Sequence, residues 1–221
     1  MDNRKAQNSQ LAKLSGTPMQ AAKSRARRSD SQNIRFRKTN LQDAYLWEAD
    51  FQDQYLREAN FEDAYLWGAN LQNTYLLEAN FQGAYLGKAN FQEAYLWEAN
   101  LQNAYLGRVN FQGADLWQAN FQDAYLGRAN FQGAVLTQID FRGAMLLATD
   151  LTGVIDLDIS QFEGERAPYL CAVKLPNGVS IDPNRDCSTL PQVLCEKYPF
   201  WYETLDDARA YVNRIRHGQH S

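Results

Sequence analysis

The chain has 221 residues and a formal net charge of −4 at pH 7; 45% of its residues are hydrophobic and 13% are aromatic. This length favours one domain, or one domain with a small appendage, and the aromatic residues are sufficient to build a core. The sequence has no run of about 18 apolar residues and no apolar N-terminal signal segment, so we expect neither a transmembrane helix nor secretion.

Charge divides the chain into three segments. Residues 1–33 have a net charge of +5, residues 34–153 of −6, and residues 154–221 of −3. The first segment is polar and contains the run KSRARR at residues 23–28. We expect a disordered basic segment there. Binding to nucleic acid or to an anionic membrane surface, and a role as an organelle transit peptide, are the alternatives.

Residues 34–153 form an internal repeat of five residues. Every fifth residue from 36 to 151 is Leu or Phe, which gives 24 such centres. The residue two before each centre is Ala in 17 of 22 cases between positions 44 and 149. The exceptions are Gln54, Thr74, Val109, Ile139 and Thr149. The other three positions of the unit are mostly polar, Gly or Tyr.

A period of five excludes the ordinary regular elements. On a helix of 3.6 residues per turn, residues five apart do not lie on one face. In a long strand the side chains alternate every two residues, which a period of five does not match. Within each unit the expected order is Ala inward, a polar residue outward, Leu or Phe inward, and then two outward residues at a corner. Regular corners wind the chain into a solenoid whose coils pair their backbones about 4.8 Å apart.

The unit Ala-(Asn/Asp)-(Leu/Phe)-x-x, as in residues 119–123, resembles the pentapeptide-repeat family, and the resemblance covers residues 34–153. It implies an all-β fold: a right-handed, four-sided parallel β-helix with four units per coil. With 24 centres this gives about six coils and a rod roughly 29 Å long at about 4.8 Å per coil. Repeats this regular resemble those of cyanobacterial proteins.

The inward positions predict the core. Centres that we expect to be buried are Leu46, Phe51, Leu66, Leu86, Phe91, Leu106, Phe111 and Leu126. We expect Gln54 to disturb this core locally, because a buried amide needs a bulge, a water or a backbone partner.

Outward residues recur every twenty positions and form ladders. One face has Tyr45, Tyr65, Tyr85, Tyr105 and Tyr125, followed at the corners by Lys88, Arg108 and Arg128 beside Gly87, Gly107 and Gly127. The opposite face has Tyr55, Tyr75 and Tyr95 with Glu58, Glu78 and Glu98. The ladders either stabilise neighbouring strands or bind a partner. If a face binds, we favour the surface of Tyr85, Tyr105, Tyr125, Lys88, Arg108 and Arg128, with open backbone at the glycines and an acidic partner.

Residues 154–221 depart from the repeat and predict a small α+β cap on the open solenoid edge. Residues 169–175 and 179–181 flank a Pro-Asn-Gly turn and suggest a β-hairpin. Ser188 or Thr189 begins a short helix to about Tyr198, and Thr204 with Asp207 resembles a capping box for a helix near 205–216. A dimerisation module is the alternative, because residues 198–202 are densely aromatic.

Catalytic and metal-binding patterns are missing from the sequence. The two histidines lie in the last five residues, and no phosphate loop, nucleophile elbow or zinc spacing is present. Residues 182–186 imitate the start of a calcium loop, but an Asx turn is sufficient to explain them. Cys171, Cys187 and Cys195 suggest free thiols in a reducing compartment, with one bridge left open. We therefore expect no enzyme, metal or cofactor.

The leading functional hypothesis is a non-enzymatic scaffold, cytoplasmic unless residues 1–33 direct it to an organelle, that binds another protein through a ladder face. The family resemblance implies an alternative, a DNA mimic that protects or inhibits DNA gyrase, although the modest charge of the body weakens it. A third hypothesis is a tether that uses the basic residues 1–33, the only segment for which we expect nucleic-acid binding. Self-association through the cap, or between the oppositely charged faces, is a further possibility.

Overall fold

The computed structural model describes residues 37–218, and its main feature is a β-solenoid. Isolated parallel bridges join residues twenty positions apart, beginning with Asn40 to Asn60, Tyr45 to Tyr65, Asp50 to Asn70 and Tyr55 to Tyr75. The same four columns continue as far as Val135 and Ile155. Each twenty residues therefore make four short strand contacts, which is the arrangement that the family resemblance implies. The expectations for residues 1–33 lie outside the described residues.

Tight turns separate the strand contacts. At each corner the Ala N–H donates to the carbonyl of the preceding centre, as from Ala44 to Leu41 at 3.1 Å. The residue before the Ala has a positive φ, for example 55° at Asp43 and 52° at Glu48. That conformation is unfavourable for residues with a Cβ. Bonds to the next coil hold it in place, as from the Asp43 N–H to the Glu62 carbonyl at 2.9 Å.

The Leu and Phe centres and the Ala residues form one continuous core along the solenoid. Seven of the named centres are buried, while Phe51, near the beginning of the described solenoid, is half-buried and packs against the core. Phe rings on neighbouring faces meet edge to face, as do Phe81 and Phe91 with ring centroids 5.7 Å apart. The interior is therefore filled by interlocking side chains.

Polar residues at the Ala positions find backbone partners. The half-buried Gln54 Nε2 donates to the Gln52 carbonyl at 3.3 Å, so its amide is paired within its own corner. The fully buried Thr74 hydroxyl donates to the Phe51 carbonyl at 3.2 Å, and the Thr149 hydroxyl donates to the Leu126 carbonyl at 2.8 Å. We expected a bulge, a water or a backbone partner at Gln54, and the structure shows the backbone partner.

The hairpin prediction for residues 169–181 is wrong. Strand β1 (Met145–Leu147) pairs in parallel with strand β2 (Tyr169–Cys171), and Lys174 pairs with Asp150. The chain instead continues the solenoid, with a register of 24 residues. The open edge of the preceding coil explains this choice, because its carbonyls accept the incoming N–H groups, as from Tyr169 to Ala144 at 2.8 Å.

A short 3-10 helix (Ile159–Phe162) lies in the longer connection between these strands. Its Phe162 is fully buried against Phe141, with ring centroids 6.5 Å apart. The Gln161 side-chain oxygen accepts the Phe141 N–H at 2.9 Å. This segment thus covers the end of the Phe column.

Two helices follow, at positions close to those predicted from the sequence. Helix α1 spans Leu190–Lys197 and helix α2 spans Leu205–Arg216. The capping box at the start of α2 is present, with reciprocal bonds between Thr204 and Asp207. Helix α2 buries Ala208, Val212 and Ile215. Among residues 37–218, no helix is long and apolar enough to cross a membrane.

The expectation of free thiols is wrong for two of the three cysteines, and the single bridge that the sequence left open is present. Cys171 and Cys187 form a disulfide, with Cα atoms 4.9 Å apart, and Cys195 is free. The bridge joins β2 to the segment that precedes α1. Both cysteines are buried in a second apolar cluster, which also contains side chains of α1 and α2. This disulfide depends on the parallel pairing of β2 with β1, which the hairpin prediction did not include.

Candidate protein-binding face

The first tyrosine face is defined by Tyr45, Tyr65, Tyr85, Tyr105 and Tyr125 and by the corner residues that follow them. Its rings form two separate stacks. Tyr45, Tyr65 and Tyr85 stack with centroid distances of 4.6 and 4.9 Å, and Tyr105 stacks on Tyr125 at 4.9 Å. Within residues 37–218 no ring contact joins Tyr85 to Tyr105, so the ladder is interrupted between these two coils.

The C-terminal helices pack against one half of this face. Tyr125 is only 4% exposed, and its hydroxyl oxygen lies 2.7 Å from that of Tyr211 and 3.4 Å from that of Tyr202. The Trp201 ring lies against Tyr105, with centroids 4.1 Å apart. Tyr85, in contrast, is 40% exposed. The structure therefore separates the three predicted tyrosines: Tyr125 is covered by its own chain, Tyr105 is partly covered, and Tyr85 is open.

Burial changes the acidity of the covered tyrosines. Burial, together with the nearby Tyr211, raises the pKa of Tyr105 to about 12. The same two causes, burial first, raise the pKa of Tyr125 well above the ordinary value. The contact with the C-terminal segment favours the neutral form of both tyrosines, because an ionised phenolate would lose its hydration on burial.

The glycines of this face do not provide open backbone, and that expectation is wrong. The Trp67 ring lies over Gly87, where an added Cβ would come within 2.2 Å of it. The rings of Tyr105 and Tyr125 lean over Gly107 and Gly127 in the same way. Glycine at these corners makes room for aromatic rings.

The three predicted cations lie in one corner column, where their φ angles are 60°, 61° and 61°. The Lys88 Nζ lies 5.5 Å from the Trp67 ring centroid, a cation–π contact worth roughly 0.5–1 kcal/mol at an exposed site. Arg108 and Arg128 also have partners within the chain. All three cations of the basic column therefore interact with other parts of the chain.

The acidic column on the opposite face is also engaged within the chain. Glu58 pairs with Arg37 at 2.7 Å and with Lys38 at 3.2 Å, and Glu78 pairs with Arg57 at 2.6 Å. The bond from Arg37 is the main cause that lowers the pKa of Glu58. Two of its three carboxylates therefore already have cationic neighbours, which weakens the case for pairing with a second copy.

Asparagine ladders occupy the other two faces, which flank the first tyrosine face. Asn100 is typical: its side-chain oxygen accepts the Gln102 N–H at 3.1 Å, while its amide donates to Asn80 at 3.1 Å. The sequence analysis did not predict this double bonding, which pairs a corner N–H and links successive coils.

A groove of about 500 Å³ lies where the open part of the tyrosine face meets the C-terminal segment. We call residues 198–202 the aromatic turn. The floor of the groove is formed by the rings of Tyr65, Tyr85 and Tyr105, and its wall by the aromatic turn and Lys197. Gly83 and Asn103 line the remaining edge. Phe200, at the tip of the turn, is 90% exposed. The sequence signal for this wall was the aromatic density of residues 198–202.

These observations define a β-solenoid protein with an aromatic groove on one face. The family model for pentapeptide repeats matches in eight copies, over residues 34–66, 55–92, 89–126 and 119–155. The chain therefore belongs to the pentapeptide-repeat family.

Solved structures of similar proteins include several cyanobacterial ones. HetL of Nostoc sp. strain PCC 7120, a pentapeptide-repeat protein involved in heterocyst differentiation regulation, is 25% identical over 68% of this chain and 78% of its own, with a TM-score of 0.33. The protein alr5209 of Nostoc PCC 7120 is 29% identical over 52% of this chain and 84% of its own, with a TM-score of 0.32. QnrB1, a plasmid-mediated fluoroquinolone resistance protein, is 19% identical over 72% of this chain and 86% of its own, with a TM-score of 0.33. No curated protein sequence matches the chain significantly.

Proposed function

We propose that the protein is a non-enzymatic scaffold that binds another protein through the groove between the first tyrosine face and the aromatic turn. The observation that carries this proposal is the distribution of exposed aromatic rings. Of the ten large hydrophobic side chains that are exposed in the described residues, six lie on this face or on the turn: Tyr45, Trp47, Trp67, Tyr85, Phe200 and Trp201. Concentrated exposed aromatic area of this kind is typical of protein-binding sites.

The predicted site is revised accordingly. Tyr85 and Lys88 remain accessible members, Tyr105 contributes a partly covered ring, and Tyr125 supports the aromatic turn from below. The groove replaces the long three-tyrosine surface as the binding region. Arg108 and Arg128 flank the part of the face that the C-terminal helices cover.

The experiment compares two matched tyrosines in affinity purification from the native lysate. Tyr85 is 40% exposed and stacks on Tyr65, while Tyr95 on the opposite face is 39% exposed and stacks on Tyr75. We expect Tyr85→Ala to lose a specific co-purifying protein that wild type and Tyr95→Ala retain. Equal retention by both variants would refute the proposed site.

The finer architecture is also part of this proposal. We propose a right-handed solenoid of about six coils in residues 34–153, preceded by the basic segment 1–33 and ended by residues 154–221 as a cap. Support comes from Phe162 and Leu170, which are fully buried at the end of the Phe and Leu columns. The cap also extends sideways over the tyrosine face.

The gyrase hypothesis has a direct test. A DNA mimic needs an extended negative surface, whereas Glu58 and Glu78 are neutralised by neighbouring arginines and the basic column lies on the opposite face. We therefore expect purified DNA gyrase to supercoil DNA at an unchanged rate when the protein is added in excess. Inhibition, or protection from a quinolone, would favour the mimic over the scaffold.

A further inference from the structure

The first tyrosine face has an open half and a covered half. Its coils follow one another in the order of their tyrosines, so Tyr45 marks the first coil and Tyr125 the fifth. Tyr45 and Tyr85 are exposed. From Tyr105 onward the C-terminal segment lies on the face, beginning with Trp201 on the Tyr105 ring. An antiparallel arrangement of two copies therefore places the covered half of each over the open half of the other.

The charges at the two edges of this face also change along its length. We call the corner residues before the tyrosines the leading column and those after them the trailing column. From the first coil to the fourth, the leading column reads Asp43, Asp63, Gly83 and Asn103. The trailing column reads Glu48, Gly68, Lys88 and Arg108. The charged members of both columns are exposed. The first two coils are thus acidic, and the next two are basic or neutral.

An antiparallel pair aligns these columns so that they complement each other. A two-fold axis between the second and third coils places Glu48 opposite Arg108 of the second copy, and Arg108 opposite its Glu48. Lys88 then faces a glycine. In the leading column each carboxylate faces a neutral residue: Asp43 faces Asn103, and Asp63 faces Gly83. Two Glu–Arg pairs form in this register, and no like charges meet.

Neighbouring arrangements bring like charges together. An axis half a coil nearer the N-terminus places Asp63 opposite itself, and an axis half a coil nearer the C-terminus places Lys88 opposite itself. A parallel pair, related by an axis along the solenoid, places Asp43 opposite Glu48. Like charges that face each other across an interface are unfavourable. The charge pattern therefore favours one antiparallel register over its neighbours.

The opposite tyrosine face does not have this pattern, although its coils have the same spacing. Its trailing column reads Lys38, Glu58, Glu78, Glu98 and then Gln118. Registers that bring Lys38 to Glu78 or Glu98 also place glutamates opposite one another. The complementarity is therefore a property of the first tyrosine face and does not follow from the repeat alone.

The favoured register also gives the exposed rings a partner. Its fourth coil carries the aromatic turn on Tyr105 and meets the first coil of the second copy, where Tyr45 and Trp47 lie. Phe200 and Trp47 are the most exposed large hydrophobic side chains of the described residues, at 90% and 62%. Each copy therefore covers the other's aromatic area, and the two-fold axis repeats the contact.

We propose that the first tyrosine face binds a second copy of this chain, in an antiparallel side-by-side dimer with each aromatic turn on the first coil of its partner. The inference rests on the proposed function and names its partner protein as the chain itself. The specific co-purifying protein of the lysate experiment is then the untagged native copy.

Sedimentation velocity of the full-length protein over a range of concentrations measures the association. We expect the sedimentation coefficient to rise with concentration from that of a monomer to that of a dimer. Phe200→Ala should weaken the dimer at least about fivefold, because the aromatic contact is lost. Added salt should weaken it too, since the Glu–Arg pairs are screened. Glu98→Arg, an exposed corner substitution on the opposite face, is the matched control and should leave the dimer unchanged.

A charge exchange tests the register. Glu48→Arg places arginines opposite each other and Arg108→Glu places glutamates opposite each other, so each variant alone should dimerise at least about tenfold more weakly. Mixing the two variants should restore association, because every facing pair in the mixed dimer is again of opposite charge. The double variant should dimerise by itself. Circular dichroism verifies the fold of each variant, and rescue by mixing cannot arise from a folding defect.

The inference is overturned if the wild-type protein remains a monomer throughout the range, if Glu48→Arg dimerises as wild type does, or if the mixed variants do not associate. The proposed function fails separately. If the protein is a monomer but Tyr85→Ala still loses a co-purifying protein of different mass, the second copy is the wrong partner and the scaffold function stands. If Tyr85→Ala changes neither association nor co-purification, the groove is not the binding site.

Discussion

The hydroxyl oxygens of Tyr125 and Tyr211 lie 2.7 Å apart, although 86 residues separate them in the chain. One belongs to the last part of the tyrosine ladder and the other to helix α2. The contact turns an outward face of the solenoid into an interior one, and it leaves Tyr85 at the boundary between covered and open surface.

The first prediction concerns this contact. Tyr125→Phe should lower the free energy of unfolding by about 1 kcal/mol, because the Tyr211 hydroxyl loses a buried partner. Urea denaturation followed by tryptophan fluorescence measures the change. Tyr45→Phe is the matched control, since its side chain is 48% exposed and should change stability by less than about 0.5 kcal/mol. An equal effect of the two substitutions would contradict the importance of the contact.

The second prediction concerns alkaline pH. Burial is the main cause that raises the pKa of Tyr105 to about 12 and the pKa of Tyr125 well above its ordinary value. The folded state therefore holds these protons more tightly than the unfolded state, in which tyrosine has a pKa near 10. The associated stability is fully present below about pH 10 and is lost as the pH rises through about 12.

Absorbance at 295 nm should show a late-titrating group of tyrosines, and the urea midpoint should fall over the same pH window. Tyr125→Phe should reduce the size of that fall. Titration of every tyrosine near pH 10, without loss of stability, would show that the C-terminal helices do not bury this face in solution.

The third prediction tests the strained corners. Glu98 is exposed and has a φ of 56°, a conformation that costs a residue with a Cβ about 1–2 kcal/mol relative to glycine. Glu98→Gly should leave stability unchanged or raise it by up to about 1 kcal/mol, since glycine also loses more entropy on folding. Glu98→Val should lower it by at least about 1 kcal/mol, because a β-branched residue fits this region poorly. Thermal unfolding measures both, and the reverse order of the two variants would exclude the positive φ.

The fourth prediction concerns the C-terminal segment. Ending the chain after Gly153 removes β2, the 3-10 helix and both α-helices, and so uncovers Tyr125, Met145 and Leu147. We expect the shortened protein to associate or precipitate, as sedimentation velocity would reveal, because the bared strand β1 and this apolar cluster lack partners. A shortened protein that remains monomeric, with an unchanged thermal midpoint, would show that the solenoid needs no cap.

Much of the fold could be predicted from the sequence, because a strict five-residue period determines which residues point inward. Leu46, Phe91 and Leu126 lie in the core as their positions in the unit require, and the capping box of Thr204 and Asp207 begins α2. These are local rules: a side chain's direction depends on its place in the repeat, and a helix start depends on four consecutive residues. The tyrosine columns follow from the same period together with the four units per coil that the family resemblance implies.

Tertiary structure decided which part of the tyrosine face is a surface. The period places Tyr85 and Tyr125 identically, yet one is 40% exposed and the other 4%. The difference comes from α1, α2 and the aromatic turn, whose apolar sides had several possible partners, including a second copy. The same holds for the disulfide of Cys171 and Cys187 and for the 24-residue register of β2. Each depends on where a distant segment meets an open edge, a choice made by competing contacts across the whole chain rather than by any local pattern.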